Sequence, residues 1–515
     1  MREIELKLLT DRAEAAALRR TSRLKQLTTG PAKSAQLLTV YYDTAKRSLA
    51  ESGLALRLRR KGRSWTQTVK ADRRLQAGFS EAVELNTPAP GGRLNIEAIP
   101  DETLRTRIEE AVGSQTLSPV FATDIGRTTW QLEAHDGSVE FALDVGEIRA
   151  GEKSAELCEF EFELTRGHPR ALFEVARRLF PSGGLIFSDR NKAKRGQLLV
   201  DEGVVVVPVK PRNAVDVALR AEMTTEEAAR DVMAECLEQI AANMTAVRLI
   251  EDPESAHQLR VGLRRLRSAF SVFKPILEGP HLEPLIDDAR WLGQEVGRLR
   301  DLEVADVDIL APEREKYPTE AGFAELLDAV HAATETERNQ LRQTVIGERA
   351  QAFLLNLAEF VMTRGWLDPT DMSQTARLAR PVADHAVQSL NKVYRQSQKK
   401  AKGIDTLTID ERHELRKQLK KLRYAAEFFS PFFEAAKTQS FIKTMKKLQN
   451  ILGELNDAAM TEELFGGDSA LVGSSAASAR AAGRLIGARL ERADHAWHDA
   501  RARWDALSEL GPFWR

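Results

Sequence analysis

Up to about residue 200 the chain alternates apolar and polar positions with period two. Glu3-Ile4-Glu5-Leu6-Lys7-Leu8, Leu54-Ala55-Leu56-Arg57-Leu58-Arg59 and Cys158-Glu159-Phe160-Glu161-Phe162-Glu163-Leu164 each put apolar side chains on one strand face and charges on the other. Similar runs cover Thr66 to Lys70, Thr128 to Glu133 and Val139 to Asp144, while Asp11 to Arg20 and Pro169 to Leu179 read as helices. The pattern predicts an antiparallel α+β or barrel domain. From about Thr224 onward apolar residues recur every three or four positions, which predicts helix almost throughout. Thr224-Thr225-Glu226-Glu227 reads as a helix start, its acidic residues placed where the helix dipole favours them. Pro208, Pro211 and a valine run separate the two textures. The expected division is therefore a first domain over 1–202, a linker over 203–218 and a helical domain over 219–515.

The helical half repeats itself. His257-Gln258-Leu259-Arg260-Val261-Gly262-Leu263-Arg264-Arg265-Leu266-Arg267 matches the block from His413 to Arg423 at an offset of 156. Gly297-Arg298-Leu299-Arg300-Asp301 matches Gly453-Glu454-Leu455-Asn456-Asp457 at the same offset. Two separated blocks with one offset indicate a tandem duplication, and hence a pseudo-symmetric bundle with one surface built from equivalent helices.

Composition narrows the class. At 515 residues, 43% hydrophobic and 29% charged, the chain reads as globular and as more than one domain. No apolar run approaches the ~20 residues needed to span a bilayer, and the first residues enter a charged strand with no signal-peptide pattern. Cys158 and Cys236 lack metal-ligand spacing and read as reduced structural thiols. These features predict a cytoplasmic protein. The net charge of −1, from 75 Lys+Arg and 76 Asp+Glu, argues against a general nucleic-acid coat.

Local charge clusters carry the chemistry. A charged strand face ordinarily looks at solvent, but here Glu3, Glu5 and Lys7 share a face, as do Arg57, Arg59 and Lys61, and Glu159, Glu161 and Glu163. If the opposite apolar faces pack outward against helices, the charged faces look at one another across a closed sheet. Such a tunnel makes sense when a polyanion meets the cations and metal ions meet the carboxylates.

The ordered set of motifs resembles the CYTH, or triphosphate tunnel metalloenzyme, superfamily. Glu3-Ile4-Glu5-Leu6-Lys7 is its ExExK signature. The similarity continues through Tyr42-Asp43-Thr44, the Gly53 to Arg59 run, Lys70, Asp124 to Arg127, Asp144 to Ile148, the Cys158 to Leu164 strand and Lys192 to Gly196. The resemblance implies an eight-stranded antiparallel β-tunnel with flanking helices. It implies that Lys7, Arg57, Arg59, Lys70, Arg127 and Lys192 hold triphosphate oxygens, and that Glu3, Glu5, Asp144, Glu159 and Glu161 carry Mg²⁺ or Mn²⁺. Glu3, Glu5, Lys7 and Glu161 are the implied catalytic set, and Glu163 either binds metal or sits at the tunnel mouth. One departure stands out: the family's Arg-x-Glu-x-Glu strand is replaced by Ser80-Glu81-Ala82-Val83-Glu84, where Glu81 and Glu84 cannot share a strand face without a bulge.

In the second half, His257, Arg260, Arg264 and Arg267 form one helical stripe, repeated as His413, Arg416, Lys420 and Arg423. Like charges this close repel unless an anion lies between them, and no interleaved aromatic platform suggests nucleic acid. These blocks resemble the CHAD domain. That resemblance implies two pseudo-twofold-related four-helix bundles that bind inorganic polyphosphate through the eight stripe residues, with Asp301 and Asp457 orienting arginines. The histidines either contact phosphate or cap the packing. Taken together, the expectation is a metal-dependent inorganic triphosphatase that makes phosphate and pyrophosphate, with polyphosphate as a second partner. It predicts no nucleic-acid or membrane partner and a cytoplasmic location at polyphosphate granules. The alternatives are a thiamine- or nucleoside-triphosphatase, and a polyphosphate-binding scaffold with a weak tunnel.

Overall fold

The computed structural model describes residues 2–188, 190–205, 208–467 and 469–514. Eight strands form a closed antiparallel barrel: β1 (Arg2–Leu9), β2 (Lys33–Asp43), β3 (Ala55–Lys61), β4 (Ser64–Gln76), β5 (Phe79–Pro88), β6 (Ser118–Ala134), β7 (Gly137–Ala150) and β8 (Lys153–Gly167). The ring order is β1-β5-β4-β3-β2-β6-β7-β8, and β1 closes it by pairing with both β5 and β8. A two-residue strand, β9 (Ile186–Phe187), adds to β1 opposite Leu8 and Leu9.

The barrel is polar inside and apolar outside. Leu6, Phe141, Phe160 and Phe162 alternate with the charged positions and are buried, and helix Arg170–Leu179, with Leu172, Phe173 and Leu179 buried, packs on β6, β7 and β8. Phe79 stacks on Phe173 with ring centroids 5.9 Å apart. A second apolar cluster joins Leu56 and Val69 to Leu104 and Ile108 of helix Glu102–Val112. A third lies under helix Lys192–Glu202, where Leu199 meets Phe121, Ile125 and Leu157. Helix and barrel touch closely there: a Cβ at Gly196 would sit 2.1 Å from the Phe121 ring. The Glu81/Glu84 strand is resolved by register. Glu3 pairs with Ala82 and Glu5 with Ser80, while Lys70 pairs with Glu84, so Ser80, Ala82 and Glu84 share the interior face. Glu81 faces the other way and pairs with Arg2 at 3.0 Å.

The second unit is helical. Its repeat appears as four long helices per copy: Thr225–Leu249, Pro253–Leu277, Leu282–Val304 and Ala321–Ile346, then Val382–Lys400, Ile409–Phe429, Ala435–Phe465 and Ala476–His498. Their starts are offset by 157, 156, 153 and 155 residues. Equivalent helices touch across the copies, Thr225–Leu249 with Val382–Lys400 and Pro253–Leu277 with Ile409–Phe429. Among the described residues no helix is long and apolar enough to cross a membrane.

The compact units do not follow a simple linear cut. The first contains residues 1–210 together with 346–363, and the second contains 211–345 and 364–515. Helix Glu348–Met362 therefore belongs with the barrel rather than with the rest of 219–515. Phe353, Leu354, Leu355, Leu357, Phe360 and Val361 point to several sides of it and are all buried. An apolar helix of this kind is buried wherever it lies, and periodicity cannot say against what.

Candidate active site and basic groove

Inside the barrel one cavity of ≈ 80 Å³ is lined by Lys7, Arg57, Arg59, Lys70, Arg127 and Lys192, together with Glu3, Glu5, Glu84, Glu161 and Glu163. Strand alternation brings all but Lys192 there, since residues two apart on each strand share the interior face, and Lys192 enters as the first residue of helix Lys192–Glu202. All six cations that the motifs single out meet in this one space. Of the five candidate metal carboxylates, Glu3, Glu5 and Glu161 line the cavity, and Asp144 and Glu159 lie just behind it, fully buried.

The two ends differ electrically. At one end Lys192 bonds to Asp144 at 2.7 Å, to Glu161 at 2.9 Å and to Glu159, while Arg195 holds Glu159 at 3.0 Å. Arg127 adds a bidentate pair to Asp144 at 2.7 and 2.6 Å and reaches Glu161, as does Lys7. Burial alone would raise the Glu161 carboxyl, but Lys192, Lys7 and Arg127 outweigh it and hold the group well below the usual carboxylate range. At the other end carboxylates crowd one another. Burial, then Glu3, Glu5, Glu161 and Glu84, push Glu163 up to about 7. Burial and Glu5 likewise raise Glu3, although Lys70 bonds to it. Lys70 also bonds to Glu84 at 2.6 Å, and Arg57 approaches Glu84 at 3.5 Å.

Two carboxylate groups could thus hold a cation. Asp144, Glu159 and Glu161 bring ligand oxygens within 4.8 Å of one another. Lys192 already bonds to all three, so an ion there must displace an ammonium. Glu3, Glu5 and Glu84 are paired as well, Glu5 with Lys7 at 3.0 Å and Glu3 and Glu84 with Lys70. Lys70 and Arg57 hold the Glu84 carboxyl well below the usual carboxylate range, so an ion at either end meets carboxylates already bonded to cations.

In the helical unit the two basic helices, Pro253–Leu277 and Ile409–Phe429, border a groove of ≈ 950 Å³. His257, Arg260, Arg264, Arg267, Arg416 and Lys420 line it, and Arg290, Arg300, Lys400, Lys417 and Lys421 add further cations. Asp301 holds Arg260 at 2.8 Å. Burial, then Arg264, Arg416, Arg260 and Arg423, push the Lys420 ammonium down to about 6. Arg416 is lowered to about 10 by burial and by Arg264, and its buried Nε has no hydrogen-bond partner among the described residues. His413 and Arg423 are not on this surface. They mark opposite edges of a stripe ~80° wide at ~100° per residue. His413 lines a separate cavity of ≈ 470 Å³ with Ile409, Leu452 and Leu490, and Arg423 stacks over the Tyr424 ring at 4.8 Å.

Residues 1–196 match the CYTH domain family and residues 231–466 match the CHAD domain family. The chain joins a CYTH domain to a CHAD domain. Its CYTH part is similar to an inorganic triphosphatase of Haemophilus influenzae, 32% identical over 200 residues, which cover 39% of this chain and 55% of that protein. The chain thus spans about half the length of that relative. It is also 24% identical over 461 residues to an uncharacterized protein of Mycobacterium tuberculosis, covering 83% of this chain and 81% of that one. The solved CHAD domain from the plant Ricinus communis is 27% identical with a TM-score of 0.50, covering 58% of this chain and 96% of that one.

Sequence reasoning missed several groups of the CYTH cavity. Tyr41 lines it, paired across β2 and β3 with Arg57, and stacks on Phe121 at 4.4 Å. Burial would raise its phenol, but Arg57, which bonds to it, and Arg59 outweigh that and lower it. Glu84 and Arg195 were the other omissions. Tyr41 sits two residues from Thr39, which accepts from Arg59 at 3.1 Å, so the period-two rule could have found it. Glu84 needed the register.

Proposed function

We propose that the CYTH cavity binds a linear inorganic triphosphate with a divalent cation and hydrolyses it to phosphate and pyrophosphate. The observation that carries this reading is the convergence of Lys7, Arg57, Arg59, Lys70, Arg127 and Lys192 on one enclosed space. Those cations are balanced: with Arg195 they number seven, against Glu3, Glu5, Glu84, Asp144, Glu159, Glu161 and Glu163. A triphosphate entering a neutral cavity brings several uncompensated charges, so binding calls for added positive charge. Glu3, Glu5, Asp144, Glu159 and Glu161, the last three with oxygens within 4.8 Å of one another, would hold Mg²⁺ or Mn²⁺ as hard oxygen ligands. Such an ion, when bound, supplies charge neutralisation at the phosphoryl oxygens and a more acidic water.

The chain's own groups do the rest. Arg57, Arg59 and Arg127 offer forked donors to the phosphate oxygens, and Lys7, Lys70 and Lys192 offer point charges. As substrate enters, these cations exchange carboxylate partners for phosphate ones, which keeps them fixed and nearly dry. Water attacks the terminal phosphorus in line, the bond to the bridging oxygen breaks, and the arginine donors take the charge that develops there.

The CHAD groove is read as a site for polyphosphate. A crowd of cations lines it with few acidic neighbours, and a repeating phosphate chain answers that repulsion along its length. Phosphate release from tripolyphosphate, ATP and thiamine triphosphate, measured with and without Mg²⁺ or Mn²⁺, tests the tunnel. Release from tripolyphosphate above the other two supports the reading. Preference for an organic triphosphate would change the substrate, and no metal-dependent release from any would leave a binding scaffold.

A further inference from the structure

Helix Glu348–Met362 comes from the second half of the chain by sequence, yet it lies in the barrel's compact unit. It grips the segment that leads into the cavity. The Gly184 amide donates to the Ile346 carbonyl at 3.0 Å, and the Leu185 amide donates to the side-chain oxygen of Gln351 at 3.1 Å. Gln351 is only 4% exposed. Gly183 has φ of 78°, and a Cβ there would sit 2.4 Å from the Ile346 carbonyl oxygen, so only glycine permits the approach. Arg177, on the helix that covers the barrel, pairs with Glu359 at 2.7 Å.

The described residues on either side of 189 reach the site. Ile186 and Phe187 pair with Leu9 and Leu8 of β1. The Ser188 amide donates to the Lys7 carbonyl at 3.0 Å. Asn191 then caps the helix whose first residue is Lys192. Two of the six cavity cations are therefore tied to this one segment.

We propose that Gln351 is a positioning residue of the CYTH cavity, holding the segment at Leu185 so that Lys7 and Lys192 meet the phosphates in register. The proposal rests on the triphosphate reading above. Gln351 touches no substrate; it acts through backbone that would otherwise carry a buried, unpaired amide. The helix that supplies it makes the barrel unit non-contiguous in sequence.

The test uses the full chain. Gln351→Met keeps the shape and removes the acceptor, and Gly183→Ala pushes the segment from the other side. Both are expected to lower kcat for tripolyphosphate about tenfold with KM changed less than about threefold, as misplacement of reacting groups does. Phe353→Leu on the same helix loosens packing while keeping the Gln351 acceptor, and should leave kcat unchanged at an equal loss of Tm. Amide hydrogen exchange over 183–192, measured without substrate, should quicken in Gln351→Met and Gly183→Ala and not in Phe353→Leu. Unchanged exchange and unchanged kcat in both segment variants overturn the proposal, as does an equal kcat loss in Phe353→Leu. A wild-type chain that releases no phosphate defeats the functional reading instead, and the exchange measurement still judges this one.

Discussion

Lys420 offers a prediction with a definite sign. Arg416 and Arg423 flank it on its own helix, Arg260 and Arg264 face it from the other basic helix, and Lys400, Lys417, Lys421, Asp301 and Asp457 line the same groove. With its ammonium pushed down to about 6, the side chain is mostly neutral at pH 7. A phosphate chain in the groove reverses the local charge, so the lysine regains a proton on binding. Its pKa is then higher in the complex than in the free protein. Affinity is therefore full below pH 6 and falls as pH rises, by up to tenfold per pH unit while one proton is taken up. Between pH 6.5 and 8.0 the loss approaches about thirtyfold, or roughly 2 kcal/mol. Terminal phosphates ionise near pH ~6 and gain charge as pH rises, which drives binding the opposite way. His257 borders the groove and is itself lowered by burial and by Arg300, so a His257→Gln background removes its contribution. Calorimetric titration with long-chain polyphosphate, in buffers of different ionisation heat at fixed salt, counts the proton directly. In the His257→Gln background, Lys420→Met should bind more weakly at pH 6 and lose the fall of affinity with pH, keeping only the opposite slope of the terminal phosphates. A wild-type protein that takes up no proton, or a fall of affinity with rising pH that survives in Lys420→Met, refutes the reasoning.

Other perturbations separate the two sites. Lys192→Met leaves Asp144, Glu159 and Glu161 without their shared cation and should cost about 3–5 kcal/mol of stability; millimolar Mn²⁺ should restore part of the lost Tm if an ion can take the ammonium's place, and no recovery would count against that. Gly196→Ala drives a methyl into Phe121, which stacks on Tyr41, and should cost about 1–3 kcal/mol and weaken triphosphate binding in the same variant. Charge reversal of Arg264 and Lys420 together should abolish retention on a polyphosphate resin while triphosphate hydrolysis survives. Retention by the wild type should fall steeply with salt, because a linear polyanion releases counterions when bound.

Much of the cavity was legible because a strand's period is two and leaves little freedom. Once Glu3-Ile4-Glu5-Leu6-Lys7 is a strand, Glu3, Glu5 and Lys7 must share a face, and apolar faces that need cover must turn outward. Glu84 was less legible, because its face depends on which residue of β1 and β4 it meets. A shift in register between Ala71 and Arg74 lies in the strand beside it. The CHAD stripe was legible in full in the first copy, where His257, Arg260, Arg264 and Arg267 all line the groove, and only at its centre in the second. Arg416 and Lys420 enter the groove from mid-stripe, while His413 and Arg423, at its edges, are claimed by other neighbours.

The residues alone determine the alternating charged faces and the basic stripes, which follow from local periodicity, and the duplication, which follows from two blocks at one offset of 156; the cation set came from the resemblance of the ordered motifs. Tertiary structure decided three things that no local period encodes. Lys192 sits among Asp144, Glu159 and Glu161, so those carboxylates are already neutralised and surplus negative charge collects instead around Glu3 and Glu163. The basic stripes share one groove in part and not in whole. Helix Glu348–Met362 turns back to the barrel and places Gln351 behind Leu185. Each depends on which distant groups come within a few ångströms, where charge pairing and hydrogen bonds to buried amides are strongest.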